Sequence, residues 1–193
     1  MTSDRFFYDT PRLVNHIDDA TIEALTGLYR ELIPPDSRVL DLMSSWVSHL
    51  PPERPYASVT GLGMNPAELE ENAALTERTV HDLNADPTLP YADASFDVAL
   101  CAVSVQYLTR PVEVFREVGR TLVPGGTFMV SFSHRLFPTK AVAVWQELGL
   151  QDRVRLIATY FGLAGNFGEP VFIDRSPEGT DPLWAVGAQR LDG

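Results

Sequence analysis

The sequence predicts an α/β fold in which a seven-stranded, mostly parallel sheet carries helices on both faces and closes with a C-terminal antiparallel hairpin. Three observations lead there. Apolar runs of strand length alternate with amphipathic stretches of helix length from about Asp18 onward. The run Phe96 to Ala102 has the apolar continuity of a central parallel strand. The last two runs, Val171 to Asp174 and Leu183 to Ala188, are joined through Ser176-Pro177-Glu178-Gly179, short enough for a hairpin.

The elements follow in order. Asp18 or Asp19 caps a first helix, along which Ile22, Leu25, Leu28, Tyr29 and Leu32 recur at helical spacing until Pro34-Pro35 ends it. Arg38 to Leu42 reads as a buried strand with an acid, Asp41, near its carboxyl end, and Ala57 to Leu62 as a second strand. Asn65-Pro66-Ala67-Glu68 has the pattern of a capping box: Asn65 caps, Pro66 takes the first helical position, and Glu68 reaches back to the cap N–H. Thr79 to Asp82 is a short third strand, separated from Phe96 to Ala102 by a turn rich in Pro and Asp. Pro111 opens a helix through Arg120, and Val123-Pro124-Gly125-Gly126 turns the chain into the strand Thr127 to Phe132. Helical stretches near Ala141 to Glu147 and Asp152 to Phe161 precede the hairpin. The pattern is a helix, five βα-type units and the hairpin.

Composition narrows the function classes. The 193 residues, 45% hydrophobic and 21% charged, suit a single domain over 1–193 with a full core, residues 1–17 forming an N-terminal segment ahead of the first helix. One cysteine, Cys101, excludes an internal disulfide framework and a Cys-cluster metal site. A net charge of −11 repels phosphate backbones and anionic membrane surfaces, so neither nucleic acid nor membrane is an expected partner. No basic segment followed by an apolar stretch opens the chain, and Val98 to Val105 is too short to span a bilayer; a cytoplasmic location is the expectation.

In an open α/β sheet, ligands lie outside the carboxyl ends of the strands where the chain order reverses. That places Asp41 to Ser45, Gly63 to Asn65, His81 to Asn84 and Ala102 to Tyr107 around one crevice. Several of these segments carry a family pattern. Val39-Leu40-Asp41-Leu42 corresponds to the start of a first motif, Leu89 to Asp97 to an "LPF.D.SFD" segment, and Val112 to Phe132, with Leu122-Val123-Pro124-Gly125-Gly126, to "E..RVLKPGG". Over roughly Val39 to Phe132 the chain resembles the class I S-adenosylmethionine-dependent methyltransferases, of the methyltransferase type 11 group. The resemblance implies a Rossmann-like sheet, S-adenosyl-L-methionine as cofactor and a small molecule as methyl acceptor.

It also implies site residues. Asp41, Leu42, Ser44 and Ser45 fall on the cofactor loop, Gly63, Met64 and Asn65 at the ribose end, and Val103 beside the sulfonium. Asp82 corresponds to an acid that accepts from the adenine amino group, Leu83 to the residue whose N–H meets the ring, and Asn84 follows them. Two departures fall on the cofactor. Met43 to His49 contains no glycine where the family has a glycine-rich loop, and Gly63 stands where an acid would accept the ribose hydroxyls, leaving Asn65 or Glu68 as substitutes.

Catalytic candidates are His16, His49 and Tyr107. His49 is read as a general base titrating near neutral pH, with helix capping or packing against Pro51-Pro52 as its structural alternative. Tyr8, Arg12, Gln106 and His134 are substrate-binding candidates, Tyr8, Arg12 and His16 because amino-terminal segments in this family often fold over the active site. Trp46 either lines the acceptor pocket or fills core space, and Asp97 reads as structural. The four histidines lack the close spacing of a metal triad, so no metal is expected. Two functions stand: a methyltransferase for a small acceptor, or a non-catalytic methyltransferase-fold binding protein whose altered loop no longer seats the cofactor.

Overall fold

The computed structural model describes residues 10–192. Asp18 caps α1 (Asp19–Leu32), its Oδ1 accepting from Thr21 N at 2.9 Å, and Leu25, Leu28 and Tyr29 form the helix's buried stripe. After Pro34-Pro35 the chain enters β1 (Arg38–Leu42), then β2 (Ser58–Gly63), α2 (Pro66–Glu71) and β3 (Glu77–Val80). It continues through β4 (Phe96–Ala102), a 3₁₀ turn (Val105–Tyr107), α3 (Pro111–Thr121), β5 (Leu122–Phe132), α4 (Ala143–Glu147), α5 (Leu150–Ala164), β6 (Val171–Asp174) and β7 (Trp184–Gln189).

The seven strands lie in the order β3-β2-β1-β4-β5-β7-β6. Those from β3 to β5 are mutually parallel, and β7 pairs antiparallel with both β5 and β6. This is the α/β architecture read from the sequence, terminal hairpin included. The order reverses between β1 and β4, which opens a crevice above their carboxyl ends.

Strand alternation divides the core in two. On one face Val39, Val59, Val98, Leu100 and Met129 pack with Leu25, Leu28 and Tyr29 of α1; on the other Leu40, Leu42, Ala99, Phe128 and Val130 pack with α3 and α5. Phe115 anchors the second face, its ring edge-on to Phe128 at 4.9 Å and Phe161 at 4.8 Å. Polar braces fix the sheet's entry edge: Asp97 accepts from Arg38 N at 2.8 Å and from its guanidinium, tying β1 to β4. Arg120 of α3 donates to Leu89 O and Tyr91 O, so the "LPF"-like segment is fastened to the helix that follows it.

Several local expectations are corrected. The connections of residues 43–57 and 81–95 hold no helix, so β1 and β3 are not followed by the helices expected of βα units. Pro51, Pro52 and Pro55 in one connection and Pro87 and Pro90 in the other remove donors that a helix would need. β3 ends at Val80 rather than Asp82, because Asp82 leaves the ladder to accept from Asn84 N and Ala85 N in a tight turn. Asn65 does cap α2, but the Glu68 carboxylate turns away from the helix to Arg12 N and Ser45 Oγ. α4 starts two residues later than expected and α5 is longer at both ends.

Phe115 is 0% exposed among three aromatic neighbours, Phe128, Tyr160 and Phe161. Phe115→Ala is expected to lower the unfolding free energy by about 3–5 kcal/mol in urea titration; a loss under about 1 kcal/mol would contradict this packing.

Candidate functional site

A cavity of about 410 Å³ opens at the carboxyl ends of β1, β2, β3 and β4. At the end of β1, Asp41 is 3% exposed and its Oδ2 accepts from Ser44 Oγ and Ser48 Oγ, both at 2.6 Å. Burial pushes its carboxyl up to about 6, against the opposing pull of the two hydroxyl donors. Leu42 does not reach the cavity; its side chain belongs to the core.

The glycine-free loop turns by placing Met43 itself in the left-handed region, at φ 57°. Ser44 N then donates to Leu62 O at 2.8 Å, which lays the Ser44 carbonyl against the end of β2. A Cβ on Gly63 would stand 2.2 Å from that carbonyl oxygen. The two departures seen in the sequence are therefore one feature: the serine loop occupies the space that an acidic side chain at 63 would need. Asn65 is no substitute acceptor, because its Oδ1 already accepts from Ala67 N and Glu68 N. Glu68 is the acid on this wall, 8% exposed, accepting from Arg12 N and Ser45 Oγ at 2.7 Å each. Gly63 and Met64 line the cavity beside it.

Beyond β3, Asp82, Leu83 and Asn84 line the next stretch. Asn84 braces the two loops: its Nδ2 donates to Tyr107 O at 3.0 Å and its Oδ1 accepts from Thr109 N at 2.8 Å. After β4, Val103 lines the wall at φ 46°, an unfavourable backbone for a β-branched residue, held because its N–H donates to Ser131 O and its carbonyl accepts from Gln106 Nε2. Gln106 thus supports the wall from behind and is not on it, contrary to its expected contact with substrate.

The remaining wall is histidine and aromatic. Arg12, Val14, Asn15 and His16 line the cavity, and Trp46 fastens this segment by donating from Nε1 to Val14 O at 3.1 Å. His16 meets Phe137 edge-on at 5.3 Å, and Phe137 in turn lies 6.0 Å from the ring of Tyr107, whose hydroxyl accepts from Phe137 N. His49 also adopts the left-handed region, at φ 56°, its carbonyl accepting from Thr26 Oγ1 at 3.0 Å and its Nδ1 buried without a partner among the described residues. Burial pulls its pKa down to about 4, with His16 adding to the effect, and burial likewise lowers His16. The expected base titrating near neutrality is corrected: both imidazoles are neutral at neutral pH.

His134 is not on the wall; it and Arg135 turn to Asp181, and Arg135, Leu136 and Phe137 supply the lining from that stretch. Tyr8 lies outside the described residues. Of the five non-glycine residues with positive φ among the described residues, Met43, His49 and Val103 line this one cavity, as strained backbone does at functional sites. Ser48, Asn72 and Phe137 had no individual signal in the sequence. Their partners lie seven to thirty positions away, beyond any local pattern. No group of three or more His, Cys, Asp or Glu among the described residues is placed to hold a metal. The Cys101 thiol, buried beside Ser104, is pushed up to about 12.

Comparison with known proteins supports the resemblance. Residues 43–130 match the family model described as methyltransferase domain. A stretch of 80 residues, 38% of this chain, is 31% identical to the sterol 4-C-methyltransferase strm-1 of Caenorhabditis elegans, of which it covers 24%. The fold is similar to that of an S-adenosylmethionine dependent methyltransferase from Mesorhizobium loti, with a TM-score of 0.63 at 17% identity over 86% of this chain and 98% of the other. It is also similar to the [4+2]-cyclase SpnF, with a TM-score of 0.68 at 16% identity over 95% and 90% of the two chains. The chain has the class I S-adenosylmethionine-dependent methyltransferase fold, and among its described residues no helix is long and apolar enough to cross a membrane.

Because Asp41 has a folded pKa of about 6 against an ordinary 3.8, its contribution to stability is complete below about pH 4 and is lost as pH rises through about 6. Asp41→Asn cannot ionise, so its unfolding free energy relative to the parent is expected to rise by about 2 kcal/mol from pH 4 to pH 7 in denaturant titrations. A difference independent of pH would contradict the buried, ionising carboxyl.

Proposed function

We propose that this methyltransferase-fold chain transfers a methyl group from S-adenosyl-L-methionine to a small-molecule acceptor. The observation that carries the reading is the cavity at the sheet's switch point, where the loop after β1, the end of β2, the turn after β3 and the strained Val103 form one wall. The donor set suits the cofactor. Two acids, Glu68 and Asp82, stand on successive segments of that wall, matching a ligand with ribose hydroxyls and an adenine amino group to donate. Glu68 takes the ribose role from α2, and Ser44 and Ser45 present the loop's polar face in place of glycine amides.

The cofactor, when bound, supplies a methyl group already activated as a sulfonium; the chain's own residues bind, orient and exclude water. The acceptor occupies the end lined by His16, His49, Tyr107 and Phe137, under residues 12–16. There a neutral His49 orients an acceptor O–H or N–H by hydrogen bonding, and proton removal is not its main task. A second reading, a methyltransferase-fold protein that binds without transfer, is favoured by one observation, the Ser44 carbonyl standing where the ribose acid would project.

Calorimetric titration separates the two. One-to-one binding of S-adenosylmethionine and S-adenosylhomocysteine is expected, weakened about tenfold or more by Asp82→Ala, because a charge-assisted acceptor is lost. No heat with either nucleoside at about millimolar concentration would overturn the proposal. Once an acceptor is found, His49→Ala is expected to lower kcat by about tenfold or more while leaving nucleoside affinity intact; unchanged turnover would remove His49 from the site.

A further inference from the structure

Between Met43 and Ala57 the chain has neither a glycine nor a helix to set its path. The loop that lines the cavity is bracketed instead by two left-handed residues, Met43 and His49, and something must hold the turn between them. Inside it, Ser44 and Ser48 converge on one oxygen of Asp41. Behind it lies Asn72, 1% exposed, at the carboxyl end of α2. Its Nδ2 donates to Ser48 Oγ and to Ser45 O, each at 2.9 Å, while its Oδ1 accepts from Ala74 N and its carbonyl from Arg78. Neither Ser48 nor Asn72 lines the cavity, whereas Ser44 and Ser45 do.

We infer that Ser48 and Asn72 are positioning residues, a clamp that takes over from the missing glycines and holds Ser44 and Ser45 in the shape that receives the cofactor. This rests on the function proposed above. The chain of bonds has one polarity: the Asn72 amide donates to Ser48, and Ser48 and Ser44 donate to Asp41, which accepts both when ionised. Protonating Asp41 removes the charge that both hydroxyl donors serve and weakens the two bonds that hold the loop. The groups facing Asp41 from other elements are Tyr29 of α1 and Cys101 of β4, each held neutral by burial; the loop and the end of α2 contribute only hydroxyls and the amide, and His49, at the loop's far end, is neutral. Asp41 is therefore the charge that sets the clamp.

The test is calorimetry with S-adenosylhomocysteine on the parent chain, Ser48→Ala, Ser48→Thr and Asn72→Ala between about pH 5 and pH 8, across the ionisation of Asp41. Ser48→Ala and Asn72→Ala are expected to weaken binding about tenfold at pH 7.5, and Ser48→Thr, which keeps the hydroxyl, to stay within about twofold. In Ser48→Ala the pH at which affinity falls is expected to move upward, because the carboxylate has lost a donor. Hydrogen exchange of the ligand-free variants should quicken at residues 43–49 and stay unchanged in the strands, which reads the clamp without ligand and shows that each variant is folded. Parent-like affinity and pH midpoint in both alanine variants would overturn the clamp, as would equal losses for Ser48→Thr and Ser48→Ala. Failure of the parent chain to bind would overturn the functional reading, and the clamp's role with it.

Discussion

A carboxylate placed at the buried end of a central strand needs donors, and the site is built from the way this chain supplies them. Asp41 takes two hydroxyls from residues three and seven positions further on, so the loop after β1 must fold back over its own strand. That return lays the Ser44 carbonyl on the end of β2, where only glycine leaves room. With no side chain possible at 63, the acid of this wall comes from one turn into α2, as Glu68. Glu68 also accepts from Arg12 N, so the same carboxylate ties the segment that contributes Arg12, Val14, Asn15 and His16 to the cavity lining.

The cavity's backbone is correspondingly strained. Met43, His49 and Val103 each hold a left-handed conformation that costs free energy, and each is fixed by its surroundings: the loop's bonds to β2, Thr26 on the His49 carbonyl, and Ser131 with Gln106 on Val103. The lining carries the acids Asp41, Glu68 and Asp82 together with His16, His49 and the rings of Tyr107 and Phe137. Burial lowers the pKa of both His16 and His49.

The sheet was legible because burial leaves a local trace. β1, β4 and β6 run over the residues read from their apolar pattern, and Pro34-Pro35 and Pro111 mark helix boundaries through their missing N–H. The loops were less so. The serine-rich stretch after β1 was expected to start a helix, yet its hydroxyls serve a buried acid. The pattern Asn65 to Glu68 gave the cap correctly but not the direction of the Glu68 side chain, which is drawn to partners 23 and 56 positions away. Gln106 lies in the right segment but faces backbone, and Ser48 and Asn72 meet only in three dimensions.

The most direct test of this account is a crystal structure of the chain with S-adenosylhomocysteine. The expected result is the nucleoside lying across the ends of β1 to β3, its base beside Asp82 and Leu83 and its ribose facing Glu68, with Ser44 and Ser48 still bonded to Asp41. A ligand seated elsewhere, or one that enters only after the loop has left Asp41, would contradict it.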